Sequence, residues 1–198
     1  MIGGLLLAAG ESTRFGADKL LAPLDGQSVL RRSASALAAE VDRLVVVVPA
    51  SADARIAEVR ALGMEAHVVE HAGFRTGMAG SLRAGIDALE GDVDAVVVAL
   101  ADQPLVRRDV IRALIERWRT TAASAVAPRY RDGQGNPVLF ARTAFPALSR
   151  LRGDVGARAA LQSLGGAVSL VPIDDDIPAD VDTPDALRAL EERLRRDS

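Results

Sequence analysis

The chain has 198 residues, 49% of them hydrophobic and 26% charged, a balance that suits one globular domain with a sizeable core and excludes a disordered chain. Its formal net charge of -3 gives nothing to draw the whole protein onto nucleic acid or an anionic membrane. With no cysteine and two histidines, disulfides, thiolate chemistry, iron–sulfur clusters and cysteine zinc sites are excluded, so any metal is expected on oxygen ligands.

The first apolar run, Gly4 to Ala8, reads as a buried strand: no Lys or Arg precedes it and a Gly-rich polar stretch follows, unlike a secretory leader. No run reaches the ~18 apolar residues of a membrane span, and the expected address is the cytoplasm. Further strands are predicted at Leu44 to Val48, Ala66 to Val69, Ala95 to Leu100, Ser124 to Ala127, Pro137 to Phe140 and Val168 to Val171. Helices fall between them, at Ser28 to Ala39, Ala52 to Leu62 and Met78 to Leu89, around the stripe Val110, Ile111, Leu114, Ile115 and Trp118, and at Pro184 to Leu194 with Thr183 as cap. Strands alternating with helices predict a mostly parallel sheet covered on both faces. The short polar connection Arg129 to Asn136 makes its two flanking strands an antiparallel hairpin, so the sheet is expected to be mixed.

Four kinds of segment could carry chemistry. The opening strand runs into AAGESTRFGADK, where small residues allow close approach, backbone N–H groups can cradle phosphate oxygens, and Arg14 and Lys19 supply charge. It matches neither the Walker loop nor GxGxxG, and a Gly-rich turn with two solvated cations also fits it locally. Asp102 follows the strand Ala95 to Leu100, where open α/β sheets bind ligands, and suits a metal ion held on a phosphate; the cap of a following helix is the competing role. Asp182 is the candidate second carboxylate, with helix capping again the alternative, and Asp174 to Asp176 reads as a solvated loop. Glycine-rich stretches at Gly73 to Leu82, Gly135 to Pro137 and Arg152 to Arg158 could meet a base, a sugar or an anionic second substrate. His67 and His71 lack a ligand-spaced partner, no GxSxG turn is present, and the 3% aromatic content leaves no stacking platform for single strands.

Read together and in order, LLAAGESTRFGADKLL, GMAGSLRAGI, ADQPLV, GNPVLF, LRGDVGAR and DVDTPDAL resemble the nucleotidyltransferases that activate the molybdenum cofactor, and within them the molybdenum cofactor cytidylyltransferases. The resemblance spans nearly the whole chain. It implies a single MobA-like domain over residues 1–198 with a Rossmann-like three-layer α/β sandwich, the nucleotide-diphospho-sugar transferase or GT-A-like fold. It implies transfer of CMP from CTP to the terminal phosphate of molybdopterin, with release of pyrophosphate. Lys19, Arg14 and Asp102 would be catalytic, and Asp102 and Asp182 would hold Mg2+. Leu7, Ala8, Ala9, Gly10, Gly80 and Ser81 would join Arg14, Lys19 and Asp102 around the nucleotide, leaving Asn136, Asp154, Gly156 and Arg158 for the pterin.

Cytidylyl members tend to read LAAG where guanylyl members read LAGG, so Ala9 favours CTP, its methyl crowding a purine. Asn136 departs from the family's usual His, putting an amide where an imidazole would titrate. The rival readings are a guanylyltransferase, a transferase with another phosphate acceptor, and a non-catalytic chaperone that hands the cofactor to a molybdenum hydroxylase. Intact Lys19, Asp102 and Asp182 speak against a pure carrier.

Overall fold

The structure is a computed structural model and describes residues 1–62, 66–89, 91 and 93–197, without the side chains of Thr76, Arg158, Ser163 and Asp197. The chain runs through β1 (Ile2–Leu7), β2 (Pro23–Leu24), β3 (Gln27–Ser28), α1 (Val29–Ala38), β4 (Arg43–Pro49), α2 (Asp53–Arg60), β5 (Ala66–His71), α3 (Met78–Leu89), β6 (Ala95–Leu100) and α4 (Arg108–Thr121). It continues through β7 (Ala125–Tyr130), β8 (Gly133–Gln134), β9 (Val138–Ala141), α5 (Phe145–Ser149), α6 (Ala157–Leu164), β10 (Val168–Pro172) and α7 (Pro184–Asp197). Among the described residues no helix is long and apolar enough to cross a membrane.

The main sheet has the order β10-β7-β9-β6-β1-β4-β5, with β8 on β7. Strand β1 pairs in parallel with both β4 and β6, and β9 runs antiparallel to β6 and to β7. The three-layer mixed α/β class expected from the alternation of runs is therefore the class observed.

The central strands are apolar along their buried lengths because both faces of the sheet are covered. Leu6, Val46, Val97 and their same-face neighbours pack with Leu37 of α1, Ile56 of α2, Leu114 of α4 and Leu190 of α7. The alternate residues Leu5, Val45 and Val96 pack with Leu82 and Ile86 of α3, Phe145 of α5 and Leu161 of α6. Period-2 alternation thus divides one apolar strand between two cores. Helix starts follow local chemistry: Ser28 Oγ accepts from Arg31 N at 3.0 Å before α1, and Thr183 Oγ1 accepts from Ala186 N at 3.1 Å at the start of α7.

Three differences from the sequence reading have simple causes. β7 continues to Tyr130 because Arg129 and Tyr130 pair with the two-residue β8. The short helices α5 and α6 were not predicted, since Pro146 and the glycines at 153, 156, 165 and 166 interrupt the periodicity that would announce them. The β2–β3 hairpin is two residues deep on each side, too short for an alternating pattern.

Candidate active site

The parallel strands β1 and β6 end at one edge of the sheet, where a cleft of about 520 Å³ opens. Leu7, Ala8, Ala9 and Gly10 line one side of it. The loop after β1 keeps its shape through its own polar groups: Ala8 N donates to Val47 O at 2.8 Å, Phe15 N to Ser12 O at 3.0 Å and Lys19 N to Ser12 Oγ at 3.1 Å. Asp18 then caps a 3-10 turn over Lys19–Leu21 by accepting from Leu20 N.

That turn delivers Lys19 into the cleft with only 6% of its surface exposed. Its Nζ donates to Asp102 Oδ2 and to Asp182 Oδ1, each at 2.7 Å. Burial opposes the charge on this ammonium, but the hydrogen bonds and charges of Asp102 and Asp182 outweigh it and hold the group above its ordinary value. The Lys19 hydrogen bond, with the charges of Lys19 and then Arg14, holds the Asp182 carboxyl below its ordinary value. Arg14 itself is exposed, its Nη1 lying 3.7 Å from Asp182 Oδ2.

Asp102 and Asp182 are far apart in sequence and meet because the segment between β10 and α7 is stitched along this edge. Arg131 N donates to Asp175 O at 3.0 Å, Ile177 N to Asp132 Oδ1 at 2.9 Å, and Val181 N to Asp102 O at 2.8 Å. Gln103, buried, donates from Nε2 to Asp180 Oδ1 at 2.8 Å. The acidic run before it contributes ties of its own, with Asp174 paired to Arg131 and Asp175 lying near Arg107 and Arg193. Neither metal candidate serves as a helix cap: the residue before α4 is Arg107, and Thr183 provides the cap of α7.

The far wall comes from the start of α3. Gly77 has φ +108, and a Cβ there would fall 2.3 Å from the backbone of Gly153, so only glycine lets the Arg152–Arg158 segment pack so closely. Ala79 N donates to Gly153 O at 3.2 Å and Met78 N to Asp154 Oδ1 at 3.4 Å. Ser81, Asp154, Phe74 and Arg75 consequently share the cleft with the first loop, and Arg75 Nε meets Glu11 Oε1 at 2.9 Å.

Of the residues picked from sequence, Leu7, Ala8, Ala9, Gly10, Lys19, Ser81, Asp102 and Asp154 line one cleft; Asp182 and Arg14 lie outside that lining, Asp182 joined to it through Lys19 and Arg14 through Asp182. Gly80 is buried within α3 and Gly156 precedes α6; neither is part of the lining. Asn136 lies on the same sheet edge, ahead of β9, with its carbonyl accepting from Tyr130 Oη at 2.8 Å. The Arg158 side chain lies outside the described residues.

Sequence reasoning missed the groups that hold the site in place: Gln103, Asp18 and above all Arg55. Arg55 of α2, 6% exposed, donates from Nε and Nη2 to the two Asp18 oxygens at 2.7 and 3.0 Å. Its Nη1 donates to Ala8 O and to Gly10 O. The one signal available was an aspartate inside a loop meant for anions, which requires a cation close by.

Comparison with known proteins adds context to this geometry. The purine catabolism protein PucB of Bacillus subtilis is 31% identical over 194 residues, covering 92% of each chain. The molybdenum cofactor guanylyltransferase of Rhodobacter capsulatus is 31% identical over 203 residues, covering 100% of this chain and 98% of its own. Rv0371c of Mycobacterium tuberculosis, solved in complex with manganese, superposes with a TM-score of 0.78 at 32% identity, over 96% of this chain and 98% of its own. The model of the MobA-like NTP transferase domain matches residues 4–168, and the chain belongs to that nucleotidyltransferase family.

Proposed function

We propose that this nucleotidyltransferase moves CMP from CTP to the terminal phosphate of the molybdenum cofactor, molybdopterin, using Mg2+. The observation that carries the reading is the convergence of Lys19, Asp102 and Asp182 at the end of a loop whose small residues line the cleft. Two carboxylates each lie 2.7 Å from one ammonium, and a divalent ion held by the pair would release Lys19 toward the phosphates. Among the described residues no three metal-binding side chains cluster, so this pair would leave other positions on a divalent ion for phosphate oxygens and water, the usual arrangement for Mg2+ on a nucleotide. The manganese complex of Rv0371c supports a divalent ion in a relative. When bound, the ion neutralises phosphate charge.

The rest of the chemistry falls to the chain. An oxygen of the acceptor phosphate attacks the α-phosphorus of CTP, the bond to the β-phosphate breaks, and pyrophosphate departs with that bond's electron pair. A phosphate monoester is largely ionised near neutral pH, so no general base is required. Catalysis is then positioning and charge stabilisation. Lys19 and Arg14 face the phosphates, the N–H groups of the loop from Ala9 onward cradle them, and Ser81 takes the base side. Asp154 and the edge carrying Asn136 take the pterin side.

GTP is the competing donor, favoured by the 31% identity to the Rhodobacter capsulatus guanylyltransferase; the buried Ala9 methyl, against the cleft, supports the smaller base. Pyrophosphate release from purified protein with Mg2+ and molybdenum cofactor, run with CTP, GTP, ATP and UTP, tests both. Release with CTP that is lost in Asp102→Ala is the expected result. Release with GTP alone overturns the base assignment, and release with none overturns the transferase reading.

A further inference from the structure

We infer that Arg55 is the positioning residue that makes the first loop an anion site, a role that rests on the cleft binding a nucleoside triphosphate. A planar trans peptide sets its C=O and N–H in opposite directions. The Ala8 and Gly10 carbonyls both accept from Arg55 Nη1, so the Ala9 and Glu11 N–H groups, which share those peptides, are turned away from the guanidinium. Ala9, Gly10 and Glu11 line the cleft and Arg55 does not. Among the described residues, no hydrogen bond engages these two N–H groups. One buried side chain thereby withdraws two carbonyls that would repel phosphate and presents two donors that attract it.

The same guanidinium sets the other end of the loop. Its bidentate grip on Asp18 fixes the carboxylate that caps the turn carrying Lys19, so loop donors and cleft ammonium are placed from one point. The planar fork is required for this: it reaches four oxygens at once, whereas the compact ammonium of a lysine cannot span them.

Calorimetric titration of wild type, Arg55→Ala and Arg55→Lys with Mg2+ and CTP, and in parallel with Mg2+ and GTP, tests the role. Both variants are expected to lose about tenfold to a hundredfold in triphosphate affinity, with partial recovery for Arg55→Ala on adding millimolar methylguanidinium. A purely structural arginine would lower the melting temperature and leave the affinity of the folded protein unchanged, and that result overturns the inference. Arg55→Met combined with Asp18→Asn removes the buried pair while keeping an acceptor for Leu20 N, which guards against a single variant that fails to fold. It is expected to melt cooperatively and still bind weakly; wild-type affinity in this double variant overturns the role. Failure of wild type to bind either triphosphate overturns the functional reading, and the role of Arg55 falls with it.

Discussion

Lys19 carries its charge in a place that burial makes costly, and it is tolerated because two carboxylates share it. Such a cation is worth most where new negative charge appears without solvent to screen it. Lys19→Ala is expected to lose roughly 2 to 4 kcal/mol of transition-state stabilisation, the range for a preorganised donor. Parallel kcat/KM measurements check it, and an unchanged value removes Lys19 from the chemistry. Lys19, Asp102 and Asp182 were candidates on local grounds, with a solvated turn or a helix cap as the competing roles, and the resemblance of their motifs to those of the nucleotidyltransferases favoured the ligand reading. Arg55 was not legible. In DARIAEVR it reads as one more charge on a polar helix, and only the packing of α2 under the loop gives it four oxygen partners.

Elements were legible where the pattern was long. Of the stripe predicted on α4, Val110, Ile111, Leu114 and Ile115 are buried and Trp118 is half-buried against the same core, whereas short helices broken by glycine and proline left no periodic trace. Contacts between elements were less readable, since surface charges give no hint of their partners. Glu40, following α1, accepts from Arg112 at 2.9 and 3.1 Å and from Arg108 at 3.1 Å on α4. The Arg112 hydrogen bonds, and then those of Arg108, hold its carboxyl below the ordinary value despite desolvation. A depressed carboxylate contributes stability that is present above its unfolded-state value and lost as pH falls through its folded-state value. Glu40→Gln is therefore expected to cost about 1 kcal/mol at neutral pH, a modest figure because both arginines are largely exposed. Urea melts along the acid limb should show the difference between the two proteins close; a gap that persists at low pH refutes the tie.

At the scale of the whole molecule, the site is assembled from β1, β6, α3 and the segment before α7, held on a rigid sheet buried on both faces. A ligand that touches all of these binds the folded chain and not the unfolded one, so it must stabilise the fold. Mg2+ with CTP at a hundred times its dissociation constant is expected to add about 2.7 kcal/mol, read as a rise in melting temperature that requires both components. A melting temperature indifferent to the pair counts against the cleft as a triphosphate site. The sheet class was legible from alternation alone. The pairing of Asp102 with Asp182 was expected, but the ties that bring them together were not, because they run largely from backbone to backbone and from Gln103 to Asp180, and backbone groups are the same whatever the residue.

Strand β9 enters the sheet against the direction of its neighbour β6, with Val138 opposite Val98 and Ala141 opposite Ala95. Parallel strands offer the ligand edge only their exits, and those of β1, β4, β5 and β6 lead on to helices that fold back along the sheet. A reversed strand offers an entrance instead, fed by a hairpin that owes nothing to those helices. Side chains near Asn136 can therefore change without disturbing those helices, whereas Arg131 and Asp132 in the hairpin turn are tied to the segment that carries Asp182. Lengthening the hairpin at its turn would be felt at Asp182, so the two halves of the edge are coupled through one short connection.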